Sequence, residues 1–151
     1  MGLDMYLSRR SYIKNWDFMD DKEKHTVSIK KGGKIRKDIK PERISHIVEE
    51  VGYWRKFNAL HNWFVANVQD GNDNCGEYYV DHNQLEKLLE DLKSINNDSK
   101  IAEQKLPTAS GFFFGGTEYD GYYFSEVQRT IELIEELLGD KEGSFYYSSS
   151  W

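Results

Sequence analysis

The chain has 151 residues, 38% hydrophobic and 30% charged, which suits one domain that buries its core without disulfide or metal staples. A net charge of −6 excludes a general nucleic-acid binder, which needs a basic footprint. Cys75 is the only cysteine, so no intramolecular disulfide forms, and no apolar run approaches the length of a membrane span.

Asp4 and the pair Arg9-Arg10 interrupt the N-terminus, so no secretory leader is read there. The expected setting is the cytosol. Leu3, Met5 and Leu7 alternate with Asp4, Tyr6 and Ser8, which predicts a half-buried strand over residues 2–9. Thr26–Ile29 and Lys34–Ile35 flank Lys31-Gly32-Gly33 and read as a hairpin. The stretch from Lys30 to Arg43 is locally basic and reads as a solvated hairpin or as a face for a phosphate-bearing ligand.

Pro41 suits the first position of a helix, and the pattern predicts a long central helix to about Val68. At about 100° per residue, Ile44, Ile47, Val48 and Val51 form a core stripe. The same face continues as Arg55, Asn58 and Asn62, then Val65 and Ala66, so the stripe turns polar for two turns. Tyr53, Phe57, Leu60 and Phe64 gather on the opposite side, with Trp54 and His61 on the flank. Buried polar groups need partners or water. Either Arg55 meets a carboxylate and the asparagines satisfy loop backbone, or these groups line a pocket, where an Arg fork reads phosphate and Asn reads an amide or base edge.

Asp70–Gly76 is turn-rich, and Glu77–Val80 is a short strand. Asp81 caps a helix with the stripe Leu85, Leu88, Leu89, Leu92 and Ile95. Asn96–Lys105 reads as a polar loop. Ser125 and Gln128 suggest a capping box for a further helix with Ile131, Ile134 and Leu138 inside and Gly139 at its end. Ser144–Trp151 alternates and reads as a final strand. The expected architecture is α+β in a single domain over 1–151, a small antiparallel sheet packed with about three helices.

The segment Ser110–Tyr123 is the second unusual feature. Three consecutive phenylalanines cannot share one strand face, and the flanking glycines permit close backbone approach. Gly115-Gly116-Thr117 can present N–H groups to an anion but lacks the lysine of a P-loop. Glu118 and Asp120 are partners for Arg55, metal ligands, or an acid and base with His61. His25, His46, His61 and His82 have no metal-ligand spacing, and Asp70–Asp81 departs from a calcium loop at its sixth and twelfth positions, so no metal is expected. No cofactor is expected, and nothing near Cys75 would activate it as a nucleophile.

The opening Met1–Leu7, the block Tyr53–Lys56 through His61–Phe64, and the block Ser110–Tyr123 resemble a family of small proteins carried by bacteriophages and prophage-bearing hosts. The resemblance spans most of the chain and brings no established catalytic residues. Its phage setting implies a counter-defence role in which a nucleotide-like immune signal is bound and sequestered, with the ligand held by a homo-oligomer. The residues assigned to that ligand are Trp54, Arg55, Asn58, His61, Asn62, Phe113, Gly115, Gly116, Thr117, Tyr119 and Tyr122, with Arg for phosphate and aromatics for a base. Two alternatives stand beside it. One is a hydrolase or transferase acting on a phosphorylated small molecule through His61, Glu118 and Asp120. The other is an inhibitor that binds a host protein through the Tyr53, Phe57 and Phe64 face.

Overall fold

A computed structural model describes residues 2–140 and 142–151. Four strands form an antiparallel sheet in the order β4-β1-β6-β5: β1 Asp4–Tyr12, β4 His46–Arg55, β5 Tyr78–Val80 and β6 Ser144–Ser150. A separate hairpin joins β2 Lys30–Lys31 and β3 Lys34–Ile35, turning at Gly32 and Gly33, whose φ angles of 57° and 79° favour glycine. The helices are α1 Asn58–Asn67, α2 His82–Asn97, the short α3 Ala102–Lys105, and α4 Gly121–Gly139, the longest at 19 residues. The fold is α+β. Among the described residues no helix is long and apolar enough to cross a membrane.

One cluster of buried side chains joins the layers. Leu3, Met5, Leu7, Val80, Phe145 and Tyr147 face Leu85, Leu88 and Leu92 of α2 and Val127, Ile131 and Ile134 of α4. Asp81 accepts from Gln84 N–H, and the Gln84 side chain accepts from Asp81 N–H, a reciprocal capping box at the start of α2.

The long helix expected from Pro41 to Val68 is corrected. Pro41–Arg43 is a single 3₁₀ turn, His46–Arg55 is a ten-residue strand, and only Asn58–Asn67 is helical. Ile47, Val48 and Val51 are β-branched, and Tyr53 and Trp54 are aromatic, types that fit a pleated sheet. Their spacing also satisfies a helical wheel, so periodicity alone could not separate the two states. Pairing with β1, which is remote in sequence, decides it: Met5 lies opposite Trp54 and Leu7 opposite Gly52. The register then skips Val51, so Ser8 lies opposite Glu50, a β-bulge on β4.

Two smaller corrections concern helix ends. α4 begins at Gly121, with Asp120 accepting from Tyr123 N–H at 3.0 Å, so the cap is Asp120 and not Ser125. The buried stripe starts at Tyr123 and continues through Val127, so the aromatic segment supplies the first turn. The polar stretch before Lys105 is not a plain loop: α2 runs to Asn97, and Ser99–Ile101 and α3 follow.

Gly52 is required by close approach. A Cβ there would lie 2.6 Å from the Trp54 ring and 2.9 Å from Leu133. Gly52→Ala is expected to lower stability by about 1–3 kcal/mol through overpacking, measured as a lower denaturant midpoint with the slope unchanged.

Candidate functional site

β4 ends beside the N-terminus. Lys56 N–H donates to Leu3 C=O at 2.7 Å, and the chain turns there into α1. Lys56 makes this turn at φ 56°, in the left-handed region that costs a non-glycine residue about 1–2 kcal/mol. Across from it Gly115 has φ 84°, and a Cβ there would meet the Lys56 side chain at 3.1 Å. The glycine lets the loop pack on the lysine stem.

Between these two turns lies a cleft of about 430 Å³, lined by Arg55, Lys56, Gly115, Gly116, Glu118, Asp120 and Tyr122. Arg55 is largely exposed and stands 3.9 Å from Asp4, at the limit of an ion pair. Its guanidinium is therefore only loosely neutralised. Tyr122 donates its O–H to Arg55 C=O, which fixes the ring as a wall, and burial raises the phenol above its ordinary range. Glu118 folds back toward Gly116, its carboxylate 2.5 Å from where a Cβ would sit. Asp120 is occupied as the α4 cap.

Asn58 builds the cleft without lining its main chamber. It is buried at the first turn of α1, where its Nδ2 donates to Phe114 C=O at 2.9 Å and Gly116 C=O at 2.8 Å. Its Oδ1 accepts from Ala109 N–H at 2.9 Å. One amide thus satisfies three backbone groups of the glycine-aromatic loop. Thr108 adds a second staple, with its N–H donating to Tyr119 Oη and its hydroxyl to Thr117 C=O. The loop's phenylalanines part ways: Phe112 is exposed, Phe113 half-buried, and Phe114 packs beside His61.

The remaining assigned residues go elsewhere. Trp54 is in the core and donates to Thr130 Oγ1 at 2.9 Å. Asn62 borders a different cleft of about 330 Å³ beside Trp63 and Asp91. His61 is buried behind Phe114 and does not line the cleft that holds Glu118 and Asp120. Its Nδ1 is 2.7 Å from Tyr147 Oη, and burial, with Asp73 and Cys75 adding to it, holds that phenol well above its ordinary range. The His61 ring thus lies between two oxygens, with Nδ1 bonded to Tyr147 Oη and Nε2 3.0 Å from an Asp73 oxygen. That contact is close but poorly aligned, since Nε2 makes no directed hydrogen bond. The grouping ties α1 to β6 and to the turn at Asp73, which also accepts from Trp151 Nε1 at 3.0 Å.

Phe57 and Phe64 are core residues, so the aromatic face expected around them is not a surface; Tyr53 is exposed on the sheet. The basic residues between Lys30 and Lys37 lie on the exposed hairpin and do not reach the Arg55 cleft. Asn74 Oδ1 accepts from Gly76 N–H, an Asx turn within Asp70–Gly76. Among the described residues no three His, Cys, Asp or Glu side chains converge as a metal site. Sequence reasoning missed Lys56 in the cleft. Its signal was a lysine beside Arg55 just ahead of a buried asparagine, but a helical wheel turns those neighbours about 100° apart.

Asn58→Ala removes three hydrogen bonds and leaves the part-buried Phe114 and Gly116 carbonyls without that partner. It is expected to cost about 2–4 kcal/mol and to speed amide exchange across residues 109–117 more than in α2. Equal protection in both regions would show that Asn58 does not hold the loop. No protein-family model, curated protein or solved structure matches the chain, so what the site does is read from its own chemistry.

Proposed function

We propose that the chain binds a small, phosphate-bearing, nucleotide-like molecule in the Arg55–Lys56 cleft and holds it without chemical change. The observation that supports this most is Lys56. A lysine kept in the left-handed region beside a loosely paired arginine, opposite a double glycine, is backbone strain placed where two cations converge. Two adjacent cations suit a phosphate group, with Arg55 supplying a planar fork and Lys56 a point charge. Tyr122 offers an aromatic wall for a base, and Glu118 an acceptor for hydroxyl or amine donors. The cleft's volume lies within the range of small-molecule sites.

Turnover is the less favoured reading, because the acid–base set it needs is divided. His61 is buried away from the cleft, and Asp120, though it lines the cleft, gives one carboxylate oxygen to the helix cap. Sequestration of a nucleotide immune signal is the role such a site would serve in the phage setting that the sequence resembles.

Native mass spectrometry and calorimetry with mononucleotides, cyclic nucleotides and short cyclic oligonucleotides test the reading. A bound nucleotide should be recovered intact after denaturation. Arg55→Gln/Lys56→Gln should weaken binding at least about tenfold, and added salt should weaken the wild type. Undiminished binding by the double variant, no binding by any phosphate-bearing compound, or release of altered ligand would each overturn it.

A further inference from the structure

The helices pack against one face of the sheet. Inward residues on β1 and β6, such as Met5, Leu7, Phe145 and Tyr147, are buried, and the residues that alternate with them face away. That outer face is paved with Tyr6, Tyr12, Tyr53, Tyr79 and Tyr146. Tyr12, Tyr53 and Tyr79 are 53%, 40% and 55% exposed. Small serines lie between the rings: Ser8 and Ser148 on the two central strands are half-buried and face the same way. Tyr and Ser together are the composition of adaptable recognition surfaces, where Tyr gives large contact area at low entropic cost.

The rings are already ordered by one another. Tyr6 and Tyr53 are 5.5 Å apart, Tyr79 meets Tyr146 edge-on at 5.7 Å, and the Arg10 guanidinium lies 4.1 Å over Tyr146. Ordering of this kind lowers the cost of docking. The charges on the face are mixed, with Arg10 and Arg55 against Asp4, Glu50 and Glu77, which disfavours a phosphate polymer.

Their placement suits a copy of the same face. Asp4 and Arg10 sit near opposite ends of β1, roughly 20 Å apart by strand rise, with Leu7 midway. A two-fold axis across the strands at Leu7 sets each Arg10 over the other protomer's Asp4. Arg10 Nη2 is paired with Glu77 of its own chain, and Nε and Nη1, which make no hydrogen bond among the described residues, face that Asp4. Asp4 spends one oxygen on Tyr53 Oη at 2.5 Å and has no hydrogen bond to the other among the described residues. The four strands, of nine, ten, seven and three residues, together cover roughly 450–500 Å² of sheet, and with side-chain relief such a patch nears the about 800 Å² per partner of a standard interface.

We propose that this tyrosine–serine sheet face docks a second copy of the chain, face to face, with Arg10 of each protomer meeting Asp4 of the other. The pairing needs no ligand in the cleft, although Arg55 borders both surfaces.

Sedimentation equilibrium of the full chain, without ligand, tests it. The wild type should show a concentration-dependent dimer. Ser8→Lys sets two like charges together near the axis and should weaken the dimer at least about tenfold while the monomer keeps its circular dichroism. Asp4→Lys and Arg10→Glu should each weaken it, and the charge-swapped double variant should regain most of the loss. If Ser8→Lys unfolds, Tyr79→Lys at the sheet edge probes the same surface. A wild type that stays monomeric at several hundred micromolar, or a dimer that neither lysine variant moves, would overturn the proposal. A double variant no tighter than the singles would overturn the Arg10–Asp4 register.

Discussion

The pairing of β1 with β4 is the constraint on which the rest depends. β1 is a central strand with a partner on each side, and its ladder with β4 runs from Asp4 opposite Arg55 to Tyr12 opposite His46. That ladder brings Trp54 into the core and ends where Lys56 bonds to Leu3. The turn that follows starts α1 with Asn58 buried beneath the glycine-aromatic loop. Cleft, loop and helix start are thus set by where one antiparallel pair stops.

Local patterns with a local cause were legible in the sequence. The cap at Asp81, the leucine stripe after it, the Lys31–Gly33 turn and the alternation in β1 and β6 depend on residues a few positions apart. β4 was not legible, because Ile44, Ile47, Val48 and Val51 satisfy a helical and an extended pattern alike. Its partner lies roughly forty residues earlier in the chain, and a strand's state depends on what it pairs with. The start of α4 was hidden for a different reason. Tyr123 belongs to an aromatic run whose periodicity is masked by neighbours that also pack.

The site was legible in part. The polar residues that broke the supposed stripe did mark a special place, although the helix beneath them was wrong. Asn58 is buried and fully engaged, as burial of an amide demands, and its partners are loop backbone. Arg55 reaches the cleft from a strand end, while Asn62, four residues on from Asn58 in the helix, belongs to another surface. Reading all three as one line on one cylinder fused a strand terminus, a loop anchor and a remote helix face.

The bulge at Val51 has a meaning for how the chain tolerates change in length. On one side of it Trp54 and Gly52 face the helices; beyond it the inward places opposite Arg9 and Ser11 fall to Glu49 and Ile47. The extra residue resets the parity of the strand, so its two halves obey opposite even–odd rules. Loss of Val51 itself would close the bulge and leave both halves in their present phase, Glu49 still opposite Arg9. A residue lost from β1, which has no spare, would instead turn the strand beyond it inside out. An equal loss in the loop between Trp16 and Thr26 would shift no strand's phase. Insertions and deletions are thus strongly unequal in effect along this chain, and Val51 is the spare residue of the β1–β4 ladder.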